Sequence, residues 1–138
     1  MTVNEIQNNI IDEFAVFDDW MDKYALLIEM GNALPPLEEK YKTESHLIAG
    51  CQSRVWLYAD QIEGNVFFRA ESDALIVKGI VSLLIKVLSG RSPQEILDAE
   101  LYFIEKIGLK DHLSLTRSNG LVALYKQMRM YALAFQMK

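Results

Sequence analysis

The sequence contains one cysteine, Cys51, among its 138 residues. A single cysteine excludes an internal disulfide, and it cannot by itself form a thiolate-rich metal site. Histidine is also scarce, since only His46 and His112 are present, and neither has a recognisable metal-ligand spacing from Cys51. The sequence therefore predicts no resident metal, and its free thiol fits a reducing, cytoplasmic compartment.

Basic residues and long apolar runs are also in short supply. The chain has 14 Lys and Arg residues against 19 Asp and Glu residues, so its net charge is −5. Binding to a phosphate backbone depends on clustered Lys and Arg, so we expect no nucleic-acid partner. The longest apolar stretch, residues 74–88, is interrupted by Lys78 and Lys86 and is short for a bilayer. With no secretory signal pattern at the N-terminus, we expect a soluble protein without a membrane partner.

The sequence has few glycines, and none of its 7 glycines has the spacing of a nucleotide-binding loop. It also has no internal repeat, low-complexity tract or flexible linker. Hydrophobic residues make up 51% of the chain, which is ordinary for a folded domain. These features predict one domain over residues 1–138, with no nucleotide cofactor.

Two helices are predicted at the start of the chain. Thr2 and Glu5 have the spacing of a capping box, and apolar residues follow at helical intervals. Asp18 or Asp19 can cap a second helix, which Gly31 is suited to end. The two prolines that follow this helix predict extended chain.

A β-hairpin is predicted in the middle of the chain. Residues 55–59 and 66–70 are rich in β-branched and aromatic side chains, and Glu63-Gly64-Asn65 connects them. Either face of this hairpin could be buried. Residues 46–48 could add a short third strand.

A strongly apolar helix is predicted from Asp73 onward. Lys78, Ser82 and Lys86 fall four residues apart and predict one narrow polar stripe on it. We expect this helix to form the centre of the core and to end at Gly90.

Two further helices are predicted near the C-terminus. Ser92-Pro93-Gln94-Glu95 combines a cap, a first-turn proline and a capping-box glutamate. A final amphipathic helix has its entry near Thr116. The whole pattern predicts an α+β fold, with several helices packed against a small antiparallel sheet.

Cys51 is the first candidate for chemistry, because it follows Gly50 between two predicted strands rather than within an apolar periodic run. Gly50 has no side chain to obstruct the approach of another macromolecule. A cationic neighbour, such as Arg54 or Arg117, would favour the reactive thiolate. The alternative interpretation is that Cys51 is a small buried apolar residue, and protease-like catalysis would also need a positioned histidine.

Three blocks of the sequence together resemble the signature blocks of SufE/CsdE-type cysteine desulfuration proteins. They are GCQSRVW at residues 50–56, SDALIVKG at residues 72–79 and LTRSNGL at residues 115–121. The resemblance implies a fold like that of the iron–sulfur scaffold protein IscU. One cysteine, however, could carry a sulfur atom but could not hold a cluster unaided.

The resemblance also implies a function. Cys51 would accept persulfide sulfur from a pyridoxal-phosphate-dependent cysteine desulfurase of the SufS or CsdA type and pass it to a SufBCD-type iron–sulfur assembly scaffold. The chain would stimulate the desulfurase rather than act as a free-standing enzyme. Pyridoxal phosphate would be bound by the partner, and this chain would bind no cofactor. A homodimer is compatible with this interpretation.

The resemblance suggests roles for residues around Cys51. Arg117 corresponds to the arginine of the last block and would stabilise the thiolate or persulfide. Gly50, Gln52 and Ser53 would serve the loop or the partner surface. Asp73, the aspartate of the middle block, would border the partner surface, or it would simply cap a helix.

Two other functional classes stay open at this point. A thiol-based redox sensor or peroxidase would use the same nucleophile, but its resolving thiol would have to come from another molecule. A noncatalytic adaptor would bind through its apolar helices, and Cys51 would then be incidental.

Overall fold

The computed structural model describes residues 1–48, 53–108 and 120–137. Helices and an antiparallel pair of strands make up this part of the chain, so the predicted α+β class is confirmed. Its elements are α1 (Val3–Ala15), α2 (Trp20–Asn32), two 3₁₀ helices (Glu39–Tyr41 and Glu44–His46), β1 (Val55–Ile62), β2 (Asn65–Ser72), α3 (Leu75–Leu88), α4 (Pro93–Asp98), α5 (Phe103–Lys106) and α6 (Gly120–Gln136).

The caps of the first two helices are as predicted. The Glu5 N–H donates to Thr2 Oγ1 and the Thr2 N–H donates to Glu5 Oε1, each over 3.1 Å, so the capping box is complete. Of the two candidate aspartates, Asp19 caps α2, where its Oδ1 accepts from the Met21 N–H at 3.0 Å. These bonds satisfy amide groups that the helices leave unpaired.

The predicted role of Gly31 is wrong. Gly31 does not end α2, which continues to Asn32, but lies buried where α2 meets α3. A Cβ at residue 31 would lie 2.7 Å from the Gly79 nitrogen, and one at residue 79 would clash with the Leu27 carbonyl. The absence of both side chains therefore lets the two helix backbones approach each other closely.

The hairpin is longer than predicted, and all eight residues of β1 pair with β2. Ile62 pairs with Asn65, so the turn consists of Glu63 and Gly64, whose φ angles are +51° and +85°. Two positive φ angles match the right-handed twist of adjacent strands.

One face of the hairpin is buried, which resolves the ambiguity of the sequence pattern. Side chains alternate between a buried inner face and a more exposed outer face. The buried residues are Val55, Leu57, Ala59, Val66, Phe68, Ala70 and Ser72. The outer face carries Trp56, Tyr58, Asp60, Phe67, Arg69 and Glu71.

The prediction of a third strand over residues 46–48 is wrong. The second 3₁₀ helix extends to His46, and only Leu47 makes an isolated antiparallel bridge, with Trp56. His46 still has helical backbone angles, whereas Leu47 is extended with φ −76° and ψ 132°, so the described part of this segment makes a bridge rather than a strand of three residues.

Helix α3 forms the centre of the core, as expected. Five of its residues are fully buried: Ile80, Leu83, Leu84, Val87 and Leu88. The predicted polar stripe is wrong at Ser82, which is 9% exposed and donates its hydroxyl to the Gly79 carbonyl at 2.6 Å. Gly90 follows the end of the helix with φ +82°, as its predicted role requires.

The C-terminal helices cover the rest of the core. Ser92 and Glu95 form the predicted capping box of α4. Leu121, Leu124 and Met128 of α6 are buried, which confirms its apolar face, but the predicted entry near Thr116 lies outside the described residues. Within the described ranges, no helix combines the length and the apolarity needed to cross a membrane.

Candidate functional site

Two of the predicted site residues, Ser53 and Asp73, are among the described residues. The others, Gly50, Cys51, Gln52 and Arg117, lie outside them, as does His112. The geometry of the candidate site therefore comes from the residues that flank the cysteine in the chain and from the elements that hold those residues.

The connection that carries Cys51 begins after Ile48 and ends at Val55. The Ile48 N–H donates to the Val55 carbonyl at 2.8 Å, and Ile48 is only 7% exposed. This bond brings the two ends of the connection together at the open end of the hairpin, which lies at the opposite end of the strands from the Glu63-Gly64 turn.

Asp73 holds the second end of the connection. The Arg54 N–H donates to Asp73 Oδ1 at 3.1 Å, and the Asp73 N–H donates to the Arg54 carbonyl at 3.3 Å. Since Val55 pairs with Ser72, Arg54 and Asp73 occupy the next position of the ladder. The carboxylate thus accepts the hydrogen bond that a main-chain carbonyl would accept in a continued strand.

The alternative interpretation of Asp73 as a helix cap is wrong. The N-cap residue of α3 is Ala74, which makes no side-chain capping bond. The side chain that bonds near this terminus is Ser72, whose Oγ accepts from the Ala74 N–H at 3.3 Å. Ser72 thereby turns the chain from β2 into α3, and the Asp73 carboxylate remains bonded to Arg54.

Residues 35–48, here called the strap, cross the outer face of the sheet and lead directly into the cysteine connection. Glu71 binds the strap through both carboxylate oxygens. Its Oε1 accepts from the Leu37 N–H at 3.0 Å, and its Oε2 lies 2.7 Å from Lys42 Nζ. Lys42 also lies 3.1 Å from Glu39 Oε1.

These contacts change the acidity of Glu71. Burial acts to raise the pKa of this carboxyl, but Lys42, the Leu37 N–H and more distant Lys78 together lower it below its ordinary value of 4.5. Glu71 is therefore ionised at neutral pH and able to hold the Lys42 ammonium.

An aromatic cluster fixes the middle of the strap. The Tyr41 ring stacks on the Tyr58 ring at a centroid distance of 3.8 Å, and the His46 ring meets both edge-on, at 5.5 Å and 5.8 Å. The neighbouring Tyr41 hydroxyl, together with burial and the Asp60 carboxylate, raises the pKa of Tyr58 to about 12. His46 is thus engaged in packing within the described structure, which suits a structural role.

Sequence reasoning missed the residues that hold the strap: Glu71, Lys42, Tyr41 and Tyr58. The double proline at 35–36 correctly indicated extended chain after α2, but nothing in the local pattern indicated what that chain would contact. In the part of the chain that the structure describes, no group of three or more His, Cys, Asp or Glu side chains could hold a metal ion.

Comparison with known proteins relates this arrangement to one family. Residues 8–132 match the family model described as SufE, Fe-S metabolism associated domain. An uncharacterized SufE-like protein of Rhizobium etli is 40% identical over 127 residues, covering 88% of this chain and 86% of its own length. A similar protein of Rhizobium meliloti is 39% identical, covering 88% of this chain and 91% of the relative, and one of Synechocystis is 38% identical, covering 93% and 80%.

The fold also has a counterpart among solved structures. The solution structure of a hypothetical protein from Thermus thermophilus superimposes with a TM-score of 0.78 and covers 96% of this chain and 97% of its own. At 21% sequence identity, that similarity establishes the fold alone.

Proposed function

Because the chain belongs to the SufE family, which is associated with Fe-S metabolism, we propose that it is a sulfur carrier that receives its sulfur on Cys51. The donor is the persulfide of a pyridoxal-phosphate-dependent cysteine desulfurase of the SufS or CsdA type. The acceptor is an iron–sulfur assembly scaffold of the SufBCD type. Removal of sulfur from the donor cysteine frees it for the next turnover, which is how the carrier stimulates the desulfurase.

The transfer is a thiol exchange. The Cys51 thiolate attacks the outer sulfur of the donor persulfide, a sulfur–sulfur bond forms at Cys51, and the bond in the donor breaks. The donor cysteine leaves as a thiolate and takes up the proton that Cys51 lost. The sulfane sulfur keeps its oxidation state, so this step consumes no oxidant or reductant, and delivery to the scaffold repeats the same exchange.

The observation that carries the proposal is the anchoring of both ends of the cysteine connection. Ile48 is hydrogen-bonded to Val55, and Arg54 is hydrogen-bonded to Asp73. The only cysteine of the sequence therefore lies in a short connection that is hydrogen-bonded at both ends. Reactive groups are commonly presented on loops that a rigid scaffold positions.

The remaining residues of the connection have supporting roles in this proposal. Gly50 leaves room for the partner's cysteine, and Gln52 and Ser53 supply hydrogen bonds to the transferred sulfur or to the partner surface. Arg117 provides positive charge that favours the thiolate. Pyridoxal phosphate is supplied by the desulfurase, and the exchange takes place in the reducing cytoplasm.

Intact-protein mass spectrometry tests the proposal. The protein is incubated with an active cysteine desulfurase and free cysteine, and its mass is then measured under nonreducing conditions. We expect an addition of about one sulfur atom that dithiothreitol removes, because a persulfide is reducible. The Cys51→Ser variant should show no addition, and neither should the wild type without desulfurase.

The other functional classes give different results in this experiment. A peroxidase or redox sensor would consume peroxide through Cys51 and show no sulfur addition. An adaptor would show no addition, and its Cys51→Ser variant would retain full biological activity. Absence of the addition from wild type incubated with an active cognate desulfurase would contradict the carrier function.

A further inference from the structure

We propose that Glu71 is a positioning residue for Cys51, because it latches the strap to β2 and so holds the N-terminal limb of the cysteine connection. This inference rests on the proposed role of Cys51. Glu71 and Lys42 contact neither the sulfur nor the partner in this proposal. They act through the main chain that leads to Cys51.

The contacts of Glu71 are those of a latch rather than of an ordinary surface ion pair. Both carboxylate oxygens are used, one by a main-chain N–H and one by an ammonium. The Lys42 and Glu71 side chains are only 21% and 20% exposed, whereas those of the Lys86–Glu13 pair are 50% and 43% exposed. Shielding from solvent reduces screening by salt and strengthens such a pair relative to an exposed one.

The strap transmits the position of Lys42 to the cysteine connection. Next to Lys42, Tyr41 stacks on Tyr58, and a 3₁₀ helix then leads to Ile48, which is bonded to Val55. Between the latch and the connection, His46 packs on both tyrosine rings and Ile48 is buried, whereas residues 43–45 and Leu47 are exposed. Loss of the ion pair between Lys42 and Glu71 releases the end of this segment that is farther from Cys51 in the chain.

The first half of the strap is also held by the Leu37 side chain, which is only 4% exposed, and by the stack of Tyr41 on Tyr58. A cavity of about 440 Å³ borders this half, lined by residues of the strap, of both strands and of the C-terminal part of α3, among them Pro35, Glu38, Arg69, Ala70 and Ile85. The latch therefore acts together with these apolar contacts in docking the strap.

Glu71 also lies next to the residues that hold the other limb. Glu71 and Ser72 end β2, and Asp73 follows. The Glu71 carboxylate bonds to the strap that precedes the connection, and the Asp73 carboxylate bonds to Arg54 at the end of the connection. Glu71 holds the limb before Cys51, and Asp73 holds the limb after it. The C-terminal end of β2 therefore contacts the segments that precede and follow Cys51 in the chain.

The rate of Cys51 alkylation by iodoacetamide in the isolated protein tests the latch. Glu71→Ala removes both contacts, and we expect alkylation to become about threefold to tenfold faster, as loss of bonds that restrict local opening would cause. Glu71→Gln keeps an acceptor for the Leu37 N–H and should give a smaller increase. Lys42→Met should resemble Glu71→Gln, whereas Lys42→Arg should behave like wild type.

Sulfur transfer provides a second readout that a merely structural role would not alter in this way. We expect Glu71→Ala to lower the rate of sulfur acceptance at saturating donor several-fold, with little change in the donor concentration that gives half the maximal rate. The Glu71→Gln/Lys42→Met double variant should be no more affected than either single variant, since both remove the same ion pair.

The matched control is Glu13→Gln, which removes the exposed ion pair with Lys86 between α1 and α3. It should leave both alkylation and sulfur acceptance unchanged. Circular dichroism establishes that each variant is folded at the assay temperature, and Lys42→Met keeps the test valid should Glu71→Ala not fold.

The outcomes separate the latch from the carrier function. Wild-type alkylation rates in folded Glu71→Ala and Lys42→Met would overturn the latch, even with sulfur transfer intact. If these variants are alkylated faster but the wild-type protein accepts no sulfur, the latch is supported and the carrier function is contradicted.

Discussion

The two ends of the hairpin differ in the side-chain bonds that supplement their main-chain bonds. At the turn end, the Val66 N–H donates to the Arg91 carbonyl at 2.8 Å and the Gly90 N–H donates to the Val66 carbonyl at 2.7 Å. At the open end, the Ile48 N–H donates to the Val55 carbonyl and the Asp73 N–H to the Arg54 carbonyl. The carboxylates of Glu71 and Asp73 accept further bonds there. Main-chain bonds are present at both ends, and the end next to Cys51 depends in addition on two carboxylates.

This difference has a physical consequence. A main-chain bond follows from the path of the backbone, whereas a carboxylate bond can be lost by protonation, by substitution or by competition from a partner. Regions held by a few polar side-chain bonds open locally at lower free energy than regions held by a core. We therefore expect changes at the turn end to affect global stability, and changes at the open end to affect the reactivity of Cys51.

The largest expected effect comes from disrupting the contact between α2 and α3, which supports both ends of the hairpin. Gly79→Val forces a side chain into the Leu27 backbone where α2 meets α3, so we expect it to lower the free energy of unfolding by about 3 kcal/mol. Urea denaturation measures the change. The control is Ala25→Val on the exposed side of α2, which should cost well under about 1 kcal/mol. Equal losses in the two variants would contradict the close helix packing.

A change at the turn end should affect stability alone. Gly64→Val places a β-branched residue at φ +85°, and no atom lies within 4 Å of the added Cβ, so the cost is that of the backbone. We expect a loss of about 1–2 kcal/mol in the free energy of unfolding, with unchanged alkylation of Cys51. Gly64→Asn should cost less, because asparagine tolerates this conformation. Faster alkylation in Gly64→Val would contradict the separation of the two ends.

A change at the open end should affect the alkylation rate of Cys51 more than the free energy of unfolding. Asp73→Ala removes the acceptor of the Arg54 N–H, and we expect a loss of only about 1 kcal/mol in unfolding free energy but clearly faster alkylation of Cys51. Asp73→Asn retains Oδ1 as an acceptor and is the matched control. If the two variants alkylate at the same rate, the hydrogen bond to Arg54 does not position the connection.

The smallest expected effect is a pH dependence of the latch. Against the opposing effect of burial, Lys42, the Leu37 N–H and Lys78 lower the folded pKa of Glu71, so its ionised form stabilises the fold above pH 4.5 and this stabilisation is lost as pH falls through the folded pKa. Thermal unfolding should show wild type more stable than Glu71→Gln at neutral pH by less than about 1 kcal/mol, since the carboxylate is partly exposed. The difference should vanish in acid. A difference that persisted there would assign the effect to something other than ionisation.

Local features of the fold were predictable from the sequence. The capping boxes at Thr2 and Ser92 and the hairpin around Gly64 each depend on residues a few positions apart, whose spacing is visible in the sequence. The family resemblance carried by the three sequence blocks is likewise confirmed. Errors arose where packing against other elements decided the role of a small or polar residue. Gly31 lies against Gly79 of another helix, and Ser82 is buried and bonds to a carbonyl of its own helix.

The candidate site likewise has some features that the sequence predicts and others that it does not. The sequence by itself determined that one thiol is available and that it follows Gly50 in a family-specific block. Only the tertiary structure decided which side chains hold the connection around that thiol. Leu37 and Glu71 are 34 residues apart, and Arg54 and Asp73 are 19 apart. Such pairs meet because the strand register and the path of the strap bring them together, and neither can be derived from the spacing of neighbouring residues.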